Sequence, residues 1–183
     1  CPLPNYPKAK IFKDYEGRFY KYEKINNLDV YRYYIYPNKS KNFILRFFSM
    51  LSFSITLWIS FINLRKIKEI DYVIIQNSPL LVSFSAIILF KKIFSKKIIL
   101  NVSDLWPKTA VDLGVLKKGI FLRILEKIEL FNYNHSDMFV CQSNEIIKHI
   151  KCFVSKPSFL YRNIQPEIKI NHEDKKKKIS IVY

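Results

Sequence analysis

Glycine is the first shortage in this chain: Gly17, Gly114 and Gly119 are all it has. Three isolated glycines cannot form the turn that closes a backbone around phosphate, so dinucleotide-fingerprint and Walker-type loops are excluded. Cysteine is equally sparse. Cys1, Cys141 and Cys152 make no CxxC pair and no even framework, which points to a reducing compartment rather than a disulfide scaffold. His135, His149 and His172 lack zinc-ligand spacing, and neither HExxH nor GxSxG occurs. In a reducing, cytoplasmic compartment the sequons Asn101-Val-Ser103 and Asn134-His-Ser136 carry no weight.

Acidic charge is the remaining shortage. Fifteen acids stand against 31 Lys and Arg, a formal net charge of +16. Such a balance suits a polyanionic partner: nucleic acid, an anionic membrane face or a phosphorylated substrate. A coding bias toward Lys, Ile, Asn, Phe and Tyr explains it equally well. The lysines are scattered apart from Lys175-Lys-Lys-Lys178, and no helix carries a sustained basic stripe. What is abundant is apolar: hydrophobic residues make up 49% and aromatics 16% of 183 residues. That is a folding composition, long enough for one real core.

Short unbroken apolar runs at 72–76, 97–102, 138–141 and 158–161 read as strands covered on both faces, and 179–183 begins another. Residues 29–36, aromatic and β-branched up to Pro37, read as a further strand. Helical patterns lie between them. Residues 79–94 start at a proline suited to a first turn. Residues 116–133 have apolar positions at Ile120, Ile124, Ile128 and Phe131, with Glu126 and Glu129 facing solvent beside Lys127. Residues 143–153 open on a serine cap followed by Glu145. Alternating strands and helices predict an α/β, Rossmann-like, doubly wound and mainly parallel sheet.

Residues 47–64 carry no charge and are borderline in length for a membrane span. Ser49, Ser52, Thr56, Ser60 and Asn63 nevertheless fall on one narrow helical stripe. A lipid-bathed helix has no use for such a stripe. A helix buried in protein or lying on a membrane surface does.

In an open parallel sheet, ligands bind where the loops after the strands meet. Those loops deliver Asn77 and Ser78, then Ser103, Asp104, Trp106 and Pro107, then Gln142 and Ser143, and finally Arg162 and Asn163. Amides, hydroxyls, a carboxylate, a guanidinium and an indole at one rim suit a hydroxyl-rich ligand such as a sugar. The amino ends of the helices at 79 and 143 favour phosphate there. Singly, each residue has an ordinary structural explanation as cap, turn or core. No DxD pair for a metal-bound nucleotide sugar occurs.

Several stretches then fall into a familiar order: Pro4-Asn-Tyr-Pro7, Tyr34-Ile-Tyr-Pro-Asn-Lys-Ser40, Gln76-Asn-Ser-Pro-Leu-Leu81, Leu100-Asn-Val-Ser-Asp-Leu-Trp-Pro107, Val111-Asp-Leu-Gly-Val-Leu116, Gln142-Ser143 and Ser158-Phe-Leu-Tyr-Arg-Asn163. Together they resemble the amino-terminal domain of family 4 glycosyltransferases, in particular bacterial surface-polysaccharide enzymes of the N-acetylfucosaminyltransferase type. The resemblance implies the first half of a GT-B fold, incomplete at both ends. Residues 1–164 would be the acceptor-side domain lacking its first strand, 165–178 a linker, and 179–183 the first strand of a donor-binding domain.

The resemblance further implies retaining transfer, without metal or other cofactor, from a nucleotide sugar (UDP-linked) bound by the second domain. The acceptor would be a lipid-diphosphate-linked sugar at the anionic, cytoplasmic face of the inner membrane, in O-antigen or capsule synthesis. Departures bear on the site. Ser103 stands where many members have histidine, so its role passes at best to Asp104, and Asn163-Ile164 replaces the usual Asn-Gly. The paired glutamates of the second domain are absent from this chain. No catalytic residue is therefore assigned, and the chain alone is expected to be inactive. Two rivals remain: a membrane-attached acceptor half of a split transferase, and a basic nucleic-acid-binding module. The second explains the charge but neither the apolar helix nor the rim, so no nucleic-acid partner is expected.

Overall fold

The structure is a computed structural model describing residues 1–40, 43–59 and 69–162. The chain opens with an antiparallel hairpin of β1 (Tyr20–Ile25) and β2 (Leu28–Tyr33). Asn26 and Asn27 between them both adopt left-handed backbone, at φ 47° and 66°. Asparagine tolerates that region, and two such residues in succession give a turn whose twist matches the strands it joins. The strand expected over 29–36 therefore ends at Tyr33 and pairs within this hairpin, apart from the parallel sheet.

Residues 34–36 instead run along helix α1 (Phe43–Ile59). The hydroxyl stripe of that helix faces them. Ser49 Oγ donates to the Tyr36 carbonyl at 2.6 Å, Ser52 Oγ accepts from the Tyr36 amide at 2.8 Å, and Thr56 Oγ1 donates to the Tyr34 carbonyl at 2.7 Å. Backbone groups outside a ladder need partners, and this stripe supplies them. Ser60 and Asn63 lie outside the described residues, as do Asn163, the linker at 165–178 and the strand at 179–183.

Four parallel strands form the main sheet in the order β3 (Tyr72–Gln76), β4 (Lys97–Val102), β5 (Met138–Cys141) and β6 (Ser158–Leu160). Between them come α2 (Leu80–Ile87), continued by a π-helical turn at Ile88–Ile93, then α3 (Lys108–Asp112), α4 (Ile120–His135) and α5 (Asn144–Lys151). The fold is α/β and Rossmann-like. Because side chains alternate along a strand, register assigns the faces. Ile75, Leu100 and Phe139 align on one face and are buried with Ile98, Val102 and Cys141. Ile87, Tyr133, Ile146 and Ile150 from α2, α4 and α5 close this core. Each such apolar side chain contributes roughly 1.5–3 kcal/mol on burial. The other face aligns Ile74 with Ile99 and Met138, and Gln76 with Asn101, Val140 and Phe159. There Ile74 is 72% exposed and Phe159 54%, so the expectation of strands covered on both faces fails on this side: α2, α4 and α5 pack on the other face.

Helix α4 differs from its sequence pattern. Its buried positions are Leu122, Leu125, Glu129, Asn132 and Tyr133, whereas Ile120 and Ile124 are exposed. The predicted stripe thus divides: Ile120 and Ile124 face outward, Ile128 is half-buried, and Phe131 packs against the core, while a carboxylate lies on the inner face.

Candidate functional site

Parallel pairing brings the carboxyl ends of β3, β4, β5 and β6 to one edge of the sheet. The loops beginning at 77, 103, 142 and 161 leave from there, as the rim argument requires. Within it, the side chains divide into three groups.

Asn77 belongs to the core, not to a cleft. It is buried, and its Oδ1 faces Ser83 Oγ at 3.3 Å, while Asn132 Nδ2 donates to Ser83 Oγ at 2.8 Å. This network joins the start of α2 to α4. Pro107 is likewise buried. Ser143 accepts from the Ile146 amide at 3.3 Å and so caps α5. These three have structural duties, although Pro107 also borders a cavity described below.

Ser103 joins two residues missed as site candidates. Gln76 Nε2 donates to Ser103 Oγ at 2.7 Å, and Asn101 Nδ2 donates to Gln76 Oε1 at 2.7 Å. The register partners Gln76 and Asn101 end the open face of the sheet in polar groups. Two amides at the ends of apolar strands were the available signal. Ser78 and Gln142 are half-buried at the same edge, and Arg162 is exposed beyond β6.

Asp104 and Trp106 are both half-buried in the loop after β4. The Asp104 Oδ1 atom is buried and has no hydrogen-bond partner. Burial holds its carboxyl above the ordinary 3.8. A carboxylate acceptor without a donor is costly, and a ligand hydroxyl or N–H at that position would remove the cost. At Cys141, the last residue of β5, burial pushes the thiol up to about 11, away from the thiolate form in which cysteine is reactive. Among the described residues, no three His, Cys, Asp or Glu side chains are grouped to hold a metal ion.

A second cluster lies on the helical side. Glu129, expected to face solvent, is 6% exposed. It accepts from the Tyr133 hydroxyl at 2.8 Å and lies 3.5 Å from His149 Nε2 of α5. Glu126 and Lys127 do face solvent. Burial raises the Glu129 carboxyl above its ordinary 4.5, opposed by the Tyr133 hydrogen bond and by His149. The sequence signal was its place in the run Leu122, Leu125, Glu129, Asn132, a three-four-three spacing along one helix face.

Helix α1 presents a third feature. With its hydroxyls turned inward, Phe48 and Ile55 are 53% and 57% exposed, and Leu45, Trp58 and Ile59 are also exposed. Among the described residues, no helix is long and apolar enough to cross a membrane. Comparison of the chain with protein-family models, curated proteins and solved structures finds no match.

Proposed function

We propose that this chain is the acceptor-side domain of a GT-B-type glycosyltransferase that extends a lipid-diphosphate-linked sugar at the anionic inner face of the cytoplasmic membrane. The observation carrying the reading is the partnerless, buried Oδ1 of Asp104 at the rim of a parallel sheet. A sugar hydroxyl donates to that oxygen, and the neighbouring Trp106 indole offers an apolar surface to the ring. A charge-assisted hydrogen bond of this kind is worth about 1.5–3 kcal/mol. Its use is orientation: holding the attacking hydroxyl in one place converts a bimolecular encounter into a positioned one. A nucleotide-sugar donor, UDP-linked, is assigned to a second domain, and transfer is retaining and metal-independent.

The membrane part of the reading is supported by α1, whose apolar residues face outward while its polar stripe is occupied by backbone. Surface-lying helices of that design insert at the interface of anionic lipid.

The test is binding by isothermal titration of a short prenyl-diphosphate-linked sugar against the prenyl diphosphate without sugar. The sugar-bearing ligand should bind more tightly, and Asp104→Ala should remove about 10- to 100-fold of that affinity. The preference requires the ionised carboxylate. Acidification should therefore abolish it with a midpoint above the ordinary 3.8, because burial raises the native pKa. Equal binding of the two ligands, or an Asp104→Ala variant that still discriminates, refutes the assignment.

A further inference from the structure

A cavity of about 570 Å³ opens between α3, α4 and α5, within the size range of small-molecule sites. Its walls are apolar: Val111, Leu122, Leu130 and Phe153. Its polar content is concentrated at two places. Inside are Glu129, Tyr133 and His149; at the mouth are charged side chains. It borders the rim only through Pro107 and Lys108.

The inner group is incompletely bonded. Tyr133 satisfies one side of Glu129 Oε1 at 2.8 Å. His149 Nε2 lies 3.5 Å from the same oxygen and is buried without a hydrogen-bond partner. The 3.5 Å contact is longer than an ordinary hydrogen bond of about 2.8 Å, so Nε2 keeps hydrogen-bonding capacity for a further partner. At a separation of 3.5 Å, an oxygen on the cavity side of the line joining the two atoms can lie about 2.8 Å from each. A hydroxyl there donates to Glu129 Oε1 and accepts from His149 Nε2 in its N–H tautomer. The His149 ring packs edge-on against Phe153, with centroids 5.0 Å apart. The mouth favours negative charge. With Lys108 and Asp112 paired at 2.8 Å, Lys118, Arg123 and Lys127 outnumber Glu126.

We infer that this cavity is a second small-molecule site, separate from the rim and independent of the function proposed for it. It takes an anionic ligand with an apolar ring body and an inner hydroxyl bridging Glu129 and His149. The class comprises hydroxylated aromatic or alicyclic carboxylates, sulfonates and phosphates.

A matched pair of probes tests this: 6-hydroxy-2-naphthoate and 2-naphthoate, titrated by fluorescence at low ionic strength. The wild-type chain should bind one equivalent of the hydroxylated probe at least fivefold more tightly than its parent. His149→Ala and Glu129→Leu should each abolish the difference while leaving binding of the parent within about threefold. Leu130→Trp, at the exposed edge of the cavity, should weaken both probes at least tenfold, as should Arg123→Glu through the carboxylate. Circular dichroism establishes that each variant is folded. Should an inner variant unfold, Leu130→Trp and Arg123→Glu on exposed positions still decide the matter. Ile74→Glu on the open sheet face is the control and should change nothing. The inference is overturned if neither probe saturates, if the hydroxyl confers no preference, or if only Ile74→Glu weakens binding.

Discussion

Glu129 shows how much one side chain can conceal. Its neighbours in sequence are the exposed Glu126 and Lys127, so composition alone makes it a surface residue, while its helical position makes it a core one. Periodicity won, and the carboxyl is held at a protonation cost. Burial raises its native pKa above 4.5. The folded chain therefore keeps a proton that the unfolded chain has already released, and stability falls as pH rises from 4.5 through the raised value. Glu129→Gln keeps the acceptor for Tyr133 and removes the charge. Its melting temperature should exceed that of the wild type above the native pKa, and the gain should shrink to nothing as pH falls below 4.5. Thermal unfolding across a pH series decides this; a gain constant with pH would mean that burial of charge is not what Glu129 costs.

Elements were legible in proportion to how far their own residues decide them. The boundaries of β3 and β4 coincide with apolar runs at 72–76 and 97–102, because a parallel strand with one face on the core and backbone pairing to its neighbours is marked by such a run even where its other face stays open. The hairpin strand β1 was missed. Its alternation of Tyr, Lys, Tyr, Glu and Lys is diluted by charge, and the signal that specifies it lies instead in the Asn26-Asn27 turn. The stripe of α1 was visible, but its purpose was not, since a helix cannot announce that residues 34–36 will lie against it. That purpose is testable. Thr56 is buried, and its hydroxyl donates to the Tyr34 carbonyl. Thr56→Val keeps the shape and strands that carbonyl, so urea unfolding should show a loss of about 1–3 kcal/mol at unchanged slope. A loss below about 0.5 kcal/mol would mean that the segment at 34–36 does not depend on this helix.

At the scale of the whole molecule, apolar surface is unevenly placed. The parallel sheet buries one face under α2, α4 and α5, and α1 spends its polar residues inward and shows Phe48, Ile55 and Trp58 outward. Ordinary surface helices do the reverse. The excess positive charge, +16 over the chain, becomes informative only beside this inversion. Charge alone suits any polyanion, whereas a basic chain that also shows an outward apolar helix suits anionic lipid, since each Lys or Arg close to the membrane adds about 1 kcal/mol. Flotation should accordingly recover the chain with vesicles containing about 30% phosphatidylglycerol and not with neutral phosphatidylcholine vesicles. Binding should weaken as salt rises from about 0.1 to 1 M, since the Debye length shrinks from about 10 to 3 Å. Phe48→Asp with Ile55→Asp should abolish it without loss of helix content, because both side chains are more than half exposed. Charge-reversed surface lysines remote from α1 should weaken it only in proportion to net charge. If the double variant floats as the wild type does, α1 is not the lipid-facing element, and the exposed residues of the open sheet face become the apolar surface to test by the same substitution.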